Sequence, residues 1–527
     1  MIAMNINSHP AGVLPYVLLA AITLSFFYNI HAVPLFDVDE GAFSEATREM
    51  LLRGDFISTY LNGVPRYDKP ILIYWLQAAS VSLFGVNEFA LRLPSALAAT
   101  AWVMAIFLFV KTLRDMKTAF YAAIMMATAL EISVMGKTAT ADALLNLWIT
   151  SSMLAGYLFF HTRRQKYLYW MFCFIGLGFL TKGPVAIMIP LVVSFLFFAI
   201  KREFKSWLRA VFNPLGMVIF LAIAMPWYVA QYLKEGDAFI QGFFFKHNID
   251  RFQSAMEQHG GNIFYYVPVV LLGLLPYTTV LLSRLMRVKA IIKDDLGLFL
   301  LLWSGFVFVF FSLSGTKLPH YMVYGFAPLI ILMALHLADM RPPGIYSRVG
   351  LFLPPLLFFA VLLFLPEIIG YALPRISDAF VRSALADYEG LFTPGYRVFF
   401  AAVILLMVYF MLEHRLEHAR KLLLSGLVTV FAASHFLIPI VACVQQAPIK
   451  EAALLAREHD YAVVMWRLTM PSFSVYSERL VEKREPRAGD IVMTKSIYLD
   501  ALGNIEIIYQ KNGIALVKVG AAGAEAR

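Results

Sequence analysis

Three lysines stand just ahead of prolines at well-separated points of the chain. They are Lys69 in Tyr67-Asp68-Lys69-Pro70, Lys182 in Thr181-Lys182-Gly183-Pro184, and Lys317 in Thr316-Lys317-Leu318-Pro319-His320-Tyr321. Proline favours the first turn of a helix, so each lysine is predicted to sit at a helix start, where the macrodipole disfavours a cation. An outside anion lying between the ammonium and the helix end reconciles the two, because helix N-termini bind phosphate readily. Lys69, Lys182 and Lys317 are therefore phosphate candidates, and His320 and Tyr321 could donate hydrogen bonds to the same anion. The plain alternative is snorkelling of each lysine to lipid headgroups.

The run Asp37-Val38-Asp39-Glu40 supplies carboxylates at a membrane boundary. A general base, an ion ligand and a helix cap all draw on this residue type. Asp39 is the first choice for catalysis, with Glu40 beside it and Asp37 in reserve; Asp39 as a simple N-cap is the bland reading. Lys137 and Asp142 flank a short turn and could pair with each other. In the stretch from Phe243 to Phe252, Arg251 suits bidentate phosphate contact. His247 and Asp68 are ordinary ligand types for a divalent metal ion, although two ligands do not make a site.

The elements that must position these residues are membrane spans. The chain has 527 residues, 60% hydrophobic and only 15% charged, against roughly 25% charged in soluble domains; mean hydropathy is +0.70. The net charge of +9 is not clustered into a nucleic-acid-binding domain. Cys173 and Cys443 both lie in apolar runs and suit neither a disulfide framework nor a zinc site. Apolar runs of span length recur about thirteen times, the first from Leu14 to Ile30. Every second connection is basic, among them those with Lys111, Arg114 and Lys117, with Arg163, Arg164 and Lys166, and with Arg284, Arg287 and Lys289. The positive-inside rule makes these cytoplasmic.

The phosphate candidates and the acidic run then fall together on the outer face. The first outer loop, 34–89, reads as two interfacial helices: Asp39–Arg53, with a stripe of Phe43, Ala46, Met50 and Leu51 and a stop at Gly54, and a second helix from Pro70 to Gly85. Residues 1–445 form the membrane domain in this reading. Residues 446–527 change character and read as a small outer α/β domain, with Asn512-Gly513 as a hairpin turn between two strands.

At these residues the chain resembles the GT-C glycosyltransferases of the protein O-mannosyltransferase superfamily, nearest the bacterial branch that holds the lipid A aminoarabinose transferase. The resemblance rests on Asp39-Glu40, Arg48-Glu49-Met50-Leu51, Asp68-Lys69-Pro70, Asn87-Glu88-Phe89-Ala90, Arg92-Leu93-Pro94-Ser95, Thr140-Ala141-Asp142, Pro226-Trp227-Tyr228 and the Lys182 and Lys317 motifs. It implies a polytopic α-helical membrane enzyme of GT-C type in the bacterial inner membrane, its active site facing the periplasm. It further implies inverting transfer of a sugar from a polyprenyl (undecaprenyl) monophosphate donor to a lipid, glycan or protein acceptor. The acidic residue of the motif carries over to Asp39 and the motif lysines to Lys69, Lys182 and Lys317. The branch resembles Asp-Glu-x-Arg-Tyr, whereas this chain reads Asp39-Glu40-Gly41-Ala42-Phe43, which leaves sugar and acceptor open. A transporter or flippase for polyprenyl-linked lipids is the alternative; it would also need outer phosphate-binding lysines, but with charged residues along a midplane pathway.

Overall fold

A computed structural model describes residues 10–250, 261–340 and 344–520, the backbone alone at 10–13 and 247–250. Among the described residues eight helices are long and apolar enough to cross a membrane, nine if the bent pair Tyr266–Gly273 and Thr278–Leu285 is one span. The chain is a multi-pass membrane protein. Several of the thirteen expected spans are instead broken or short helices: Pro10–Ile22 continues as Thr23–Phe27, and Met116–Thr128 is followed by Leu130–Met135. The second break falls at Ala129, whose extended backbone lets the Leu130 amide donate to Leu275 across the bundle instead of within its own helix.

Lys182 closes the helix Gln165–Lys182, where a cation is favourable, and Gly183 at φ +80° turns the chain into Val185–Ile200, capped by Pro184. Pro70 lies two residues ahead of the helix Leu72–Phe84, and Pro319 opens the 3₁₀ segment Pro319–Gly325. The lysines thus stand at helix junctions, and Lys182 is served by the end of one helix as much as by the start of the next.

The helix Asp39–Arg53 stops at Gly54, left-handed at φ +65°. Its stripe of Phe43, Ala46 and Met50 enters the main core. Its polar side is buried as well: Glu45 holds Arg48 through two bonds of 2.8 and 2.7 Å, and Glu49 accepts the Gly63 amide and reaches Arg53. The helix is covered on one side by Leu72–Phe84 and on the other by a short helix, Pro471–Ser477, from the far end of the chain. Below Arg53 the loop folds back as a small hairpin of β1 (Tyr60–Leu61) and β2 (Val64–Pro65).

Beyond Gln445 a helix, Ala447–Glu458, leads into a five-stranded mixed sheet of β3 (Val463–Met465), β4 (Glu482–Lys483), β5 (Ile491–Lys495), β6 (Ile505–Lys511) and β7 (Ile514–Val519). The order is β4-β3-β5-β7-β6. β3 runs parallel to both neighbours, while β7 pairs antiparallel with β5 and β6, Ile514 opposite Lys495 and Lys511. Asn512 and Gly513, both at positive φ, form the two-residue turn that a type I′ hairpin requires.

The short helix Pro471–Ser477, here called the docking helix, ties this sheet to the first outer loop. The Ser472 amide donates to Asp37 Oδ1 at 2.9 Å and its hydroxyl to Asp37 Oδ2. The Tyr476 hydroxyl accepts the Leu35 amide at 2.7 Å and donates to Glu88 at 2.9 Å. Lys450 closes on the same Glu88 at 2.5 Å, and Ser474 donates to Asn62.

Candidate active site

Of the three carboxylates of the acidic run, Asp37 is held by the docking helix, and Asp39 and Glu40 do different things. Glu40 is buried and saturated: it accepts Arg92 twice, at 2.9 and 2.7 Å, the Phe36 amide at 2.8 Å and the Ala139 amide at 2.6 Å. Arg92 spends its other donors on the carbonyls of Ile30, Val33 and Pro34. This corrects the expectation that Glu40 shares in catalysis, since a carboxylate held by four donors has no lone pair to offer an acceptor. Glu40 is a positioning residue that locks the end of the first span to the Asp39 helix. Asp39 is exposed at the first position of that helix. Capping does not explain it: the cap position is Val38, and no side chain caps there.

Next to Asp39 lies a residue that sequence reasoning passed over. Arg66 donates to Asp68 at 3.2 Å, to the Ala42 carbonyl at 3.0 Å and to the Tyr74 hydroxyl at 3.2 Å, with its guanidinium 5.3 Å from the Phe43 ring. Burial pulls the Arg66 pKa down, and Tyr74, Asp68 and Asp39 together outweigh it and leave it above the ordinary value. Its one sequence signal was adjacency to Tyr67-Asp68-Lys69. Asp68 is occupied by Arg66, and the side chain of His247 lies outside the described residues, as does Arg251. Among the described residues no cluster of His, Cys, Asp and Glu can hold a metal ion.

Lys69 follows directly, its ammonium donating to the Asp68 carbonyl at 3.0 Å. It lies within electrostatic reach of Asp142, as do Lys182 and His320. Lys182 and Asp142 are in contact at 2.5 Å, and the Tyr324 hydroxyl bridges them at 3.0 and 3.3 Å. The Lys182 ammonium also lies 5.8 Å from the Tyr321 ring, and Tyr321 and His320 meet edge to face. The expected Lys137–Asp142 pair does not form. Asp142 is taken by Lys182, and Lys137 turns to Ser434 on the last span, beside a cavity of 310 Å³ that also touches Glu40 and Arg92. Lys317 is buried and donates to the Ser314 carbonyl at 2.7 Å.

The site therefore gathers Asp39, Arg66, Asp68, Lys69, Asp142, Lys182, His320, Tyr321 and Tyr324: one exposed carboxylate, two that are ion-paired, and several cations. A carboxylate at a helix N-terminus can accept a proton from a hydroxyl, and preformed cations in a water-poor setting stabilise charge appearing on phosphate oxygens.

Residues 68–229, the stretch that carries Lys69, Asp142 and Lys182, match the family described as dolichyl-phosphate-mannose-protein mannosyltransferases. ArnT from Cupriavidus metallidurans, solved with undecaprenyl phosphate bound, superposes with a TM-score of 0.78 over 98% of this chain and 99% of its own, at 19% identity. The chain has the GT-C fold. The archaeal oligosaccharyltransferase of Archaeoglobus fulgidus shares this GT-C architecture more distantly, with a TM-score of 0.54 over 90% of this chain and 64% of its own at 13% identity. Among curated relatives, the undecaprenyl phosphate-alpha-4-amino-4-deoxy-L-arabinose arabinosyl transferase of Yersinia enterocolitica is 33% identical over 332 residues, 61% of this chain and 59% of the relative. The protein of the same name from Aeromonas salmonicida is 34% identical over 319 residues, 59% of this chain and 57% of its own. The GT-C chain thus spans less than two thirds of the length of the curated relatives it matches.

Proposed function

We propose that this chain is a membrane glycosyltransferase that moves a sugar from a polyprenyl monophosphate, undecaprenyl phosphate in its relatives' names, to an acceptor lipid, glycan or protein. The observation that carries the reading is the pairing of an exposed Asp39, held by the Glu40–Arg92 lock, with the cation cluster of Arg66, Lys69 and Lys182. The acceptor hydroxyl attacks the anomeric carbon as its proton passes to the Asp39 carboxylate. The bond from that carbon to the phosphate oxygen breaks with inversion, and the electron pair leaves with the polyprenyl phosphate. Lys69 and Lys182 meet the oxygens that gain charge, and His320 and Tyr321 supply further donors.

Arg66 takes the place of the arginine absent from position 42. Its guanidinium sits at the Ala42 carbonyl and over Phe43, so a cation reaches the motif from the adjacent strand of the loop. Glycine at 41 follows from the docking helix, because a Cβ there would stand 2.5 Å from the Ser472 amide nitrogen. Residues 1–445 form the catalytic membrane domain and 446–527 an accessory domain on the same, periplasmic face of the inner membrane.

The test is transfer of labelled sugar from undecaprenyl phosphate-linked donors to extracted envelope lipids, glycans and proteins by the purified chain. Donor consumption that depends on Asp39 and yields a glycosylated product supports the reading; wild-type protein that leaves every such donor intact in the presence of all three acceptor classes overturns it.

A further inference from the structure

The sheet domain carries a pocket of 620 Å³ between the segment Met465–Met470, the strand residues Lys483–Glu485 and Lys495. Its size falls within the roughly 300–1,000 Å³ of small-molecule sites. Arg467, Lys483, Arg484 and Lys495 line it, against one carboxylate, Glu485, which is engaged by the Trp466 indole N–H at 2.7 Å. Arg484 is neutralised by Asp490 at 2.6 Å and Glu482 at 3.0 Å. Among the described residues no carboxylate forms an ion pair with the other three cations.

Two features mark the pocket as built. Arg467 holds a left-handed backbone at φ +52°, a costly state for a long side chain with no local hydrogen bond to favour it. That backbone lays the guanidinium 4.5 Å from the Trp466 ring and 5.3 Å from the Tyr498 ring, a stacked placement that pre-orders its donors for a planar or tetrahedral oxyanion. The pocket also neighbours the acidic run that leads into the Asp39 helix. Its wall ends at Met470, one residue before the docking helix whose Ser472 holds Asp37, and the Lys483 ammonium feels the Asp37 carboxylate.

We propose that this pocket binds the anionic sugar headgroup of the acceptor, a phosphorylated saccharide. The proposal rests on the transferase reading. Three cations without an ion pair among the described residues select an anion, although Lys483 also donates to Thr469 at 3.3 Å and Lys495 lies 4.5 Å from the Phe380 ring; the volume exceeds what a bare phosphate fills. The donor's phosphate is excluded as the occupant, because its polyprenyl tail keeps it at the membrane cluster of Lys69 and Lys182 rather than in the extramembrane sheet.

The experiment is calorimetric binding of glucosamine 1-phosphate, glucosamine and inorganic phosphate to the full chain in detergent. Wild type is compared with Arg467→Lys, the double variant Arg467→Ala/Lys483→Ala, and Lys69→Ala, with thermal midpoints recorded for each. The sugar phosphate is expected to bind wild type with an affinity that falls as salt rises, to lose at least tenfold in the double variant, to lose less in Arg467→Lys, and to be unchanged in Lys69→Ala. Absent binding to wild type, equal binding to the double variant, loss on Lys69→Ala, or phosphate binding as tightly as the sugar phosphate each overturns the proposal. Binding that behaves as expected in a protein with no transferase activity overturns the acceptor assignment through the transferase reading, and leaves a phosphosugar site in place.

Discussion

At the scale of single residues, the exposed Asp39 and the pair of half-buried Lys182 with buried Asp142 make opposite predictions. Asp39 has no cap to lose, so Asp39→Asn and Asp39→Ala should both keep their thermal midpoints to within about 1 kcal/mol of folding free energy. Both should lose roughly 10²–10⁴ in transfer to a hydroxyl acceptor, read by initial rates on purified protein. Lys182 is different. Lys182→Ala strands a buried carboxylate, at a cost of about 3–5 kcal/mol, so it should lower the midpoint as well as donor use. The double variant Lys182→Met/Asp142→Asn should recover the midpoint and not the activity, which thermal unfolding and donor turnover together would reveal. The residue types at 39, 69, 142 and 182 were legible in the sequence because their motifs are local. Their partners were not. Glu40 is paired with Arg92 and Asp142 with Lys182, contacts across spans that no local spacing encodes, and Arg66 was invisible because its role depends on lying under the Ala42 carbonyl.

At the scale of elements, the contact between the Asp39 helix and the docking helix is what a sequence pattern misreads. An amphipathic stripe predicted one buried face, yet the charged face is buried too, under a helix from more than four hundred residues away. Gly41 is the tightest point of that contact. Gly41→Ala would overlap the Asp37 carboxylate and press on the Ser472 backbone, so it should loosen the sheet domain and speed its release by limited proteolysis. Asp37 gives a pH signature. Burial raises its pKa from 3.8 to about 7, against the two Ser472 bonds and Lys483, which lower it. A raised carboxyl keeps its proton in the folded state between about pH 4 and 7 while the unfolded chain has lost it, so docking weakens as pH rises through that window. Glu45, also raised to about 7 by burial, adds the same sign. Asp37→Asn can still accept the Ser472 amide and donate to its hydroxyl. It should therefore flatten part of the fall in thermal midpoint between pH 5 and 8, and a slope identical to wild type would exclude Asp37 as a contributor.

At the scale of the whole molecule, apolar runs and basic loops announced a polytopic membrane protein, and Asn512-Gly513 announced the last hairpin, because both signals are compositional or confined to a few residues. The span count was harder to read: a run such as 118–136 is continuous in hydropathy but broken at Ala129, where tertiary hydrogen bonding replaces the helical one. Orientation is tested by placing cysteine at exposed Asn504 and exposed Arg415. A membrane-impermeant thiol reagent on intact cells should label Asn504→Cys and spare Arg415→Cys; the reverse would invert the topology.

The tie between Leu35 and Tyr476, 441 positions apart in the chain, also sets an order of events during synthesis. At about 5–20 residues per second, the first outer loop emerges on the order of tens of seconds before the helix that completes its packing. Until then Asp37 and the charged face of the Asp39 helix lack their docking partner, and Asp39 is carried on an unfinished support. A chain that ends before Pro471 thus carries every long apolar helix and leaves the Asp39 helix uncovered on its docking side. The support under Asp39 is therefore the last part of the fold to be completed, however early its own helix is made.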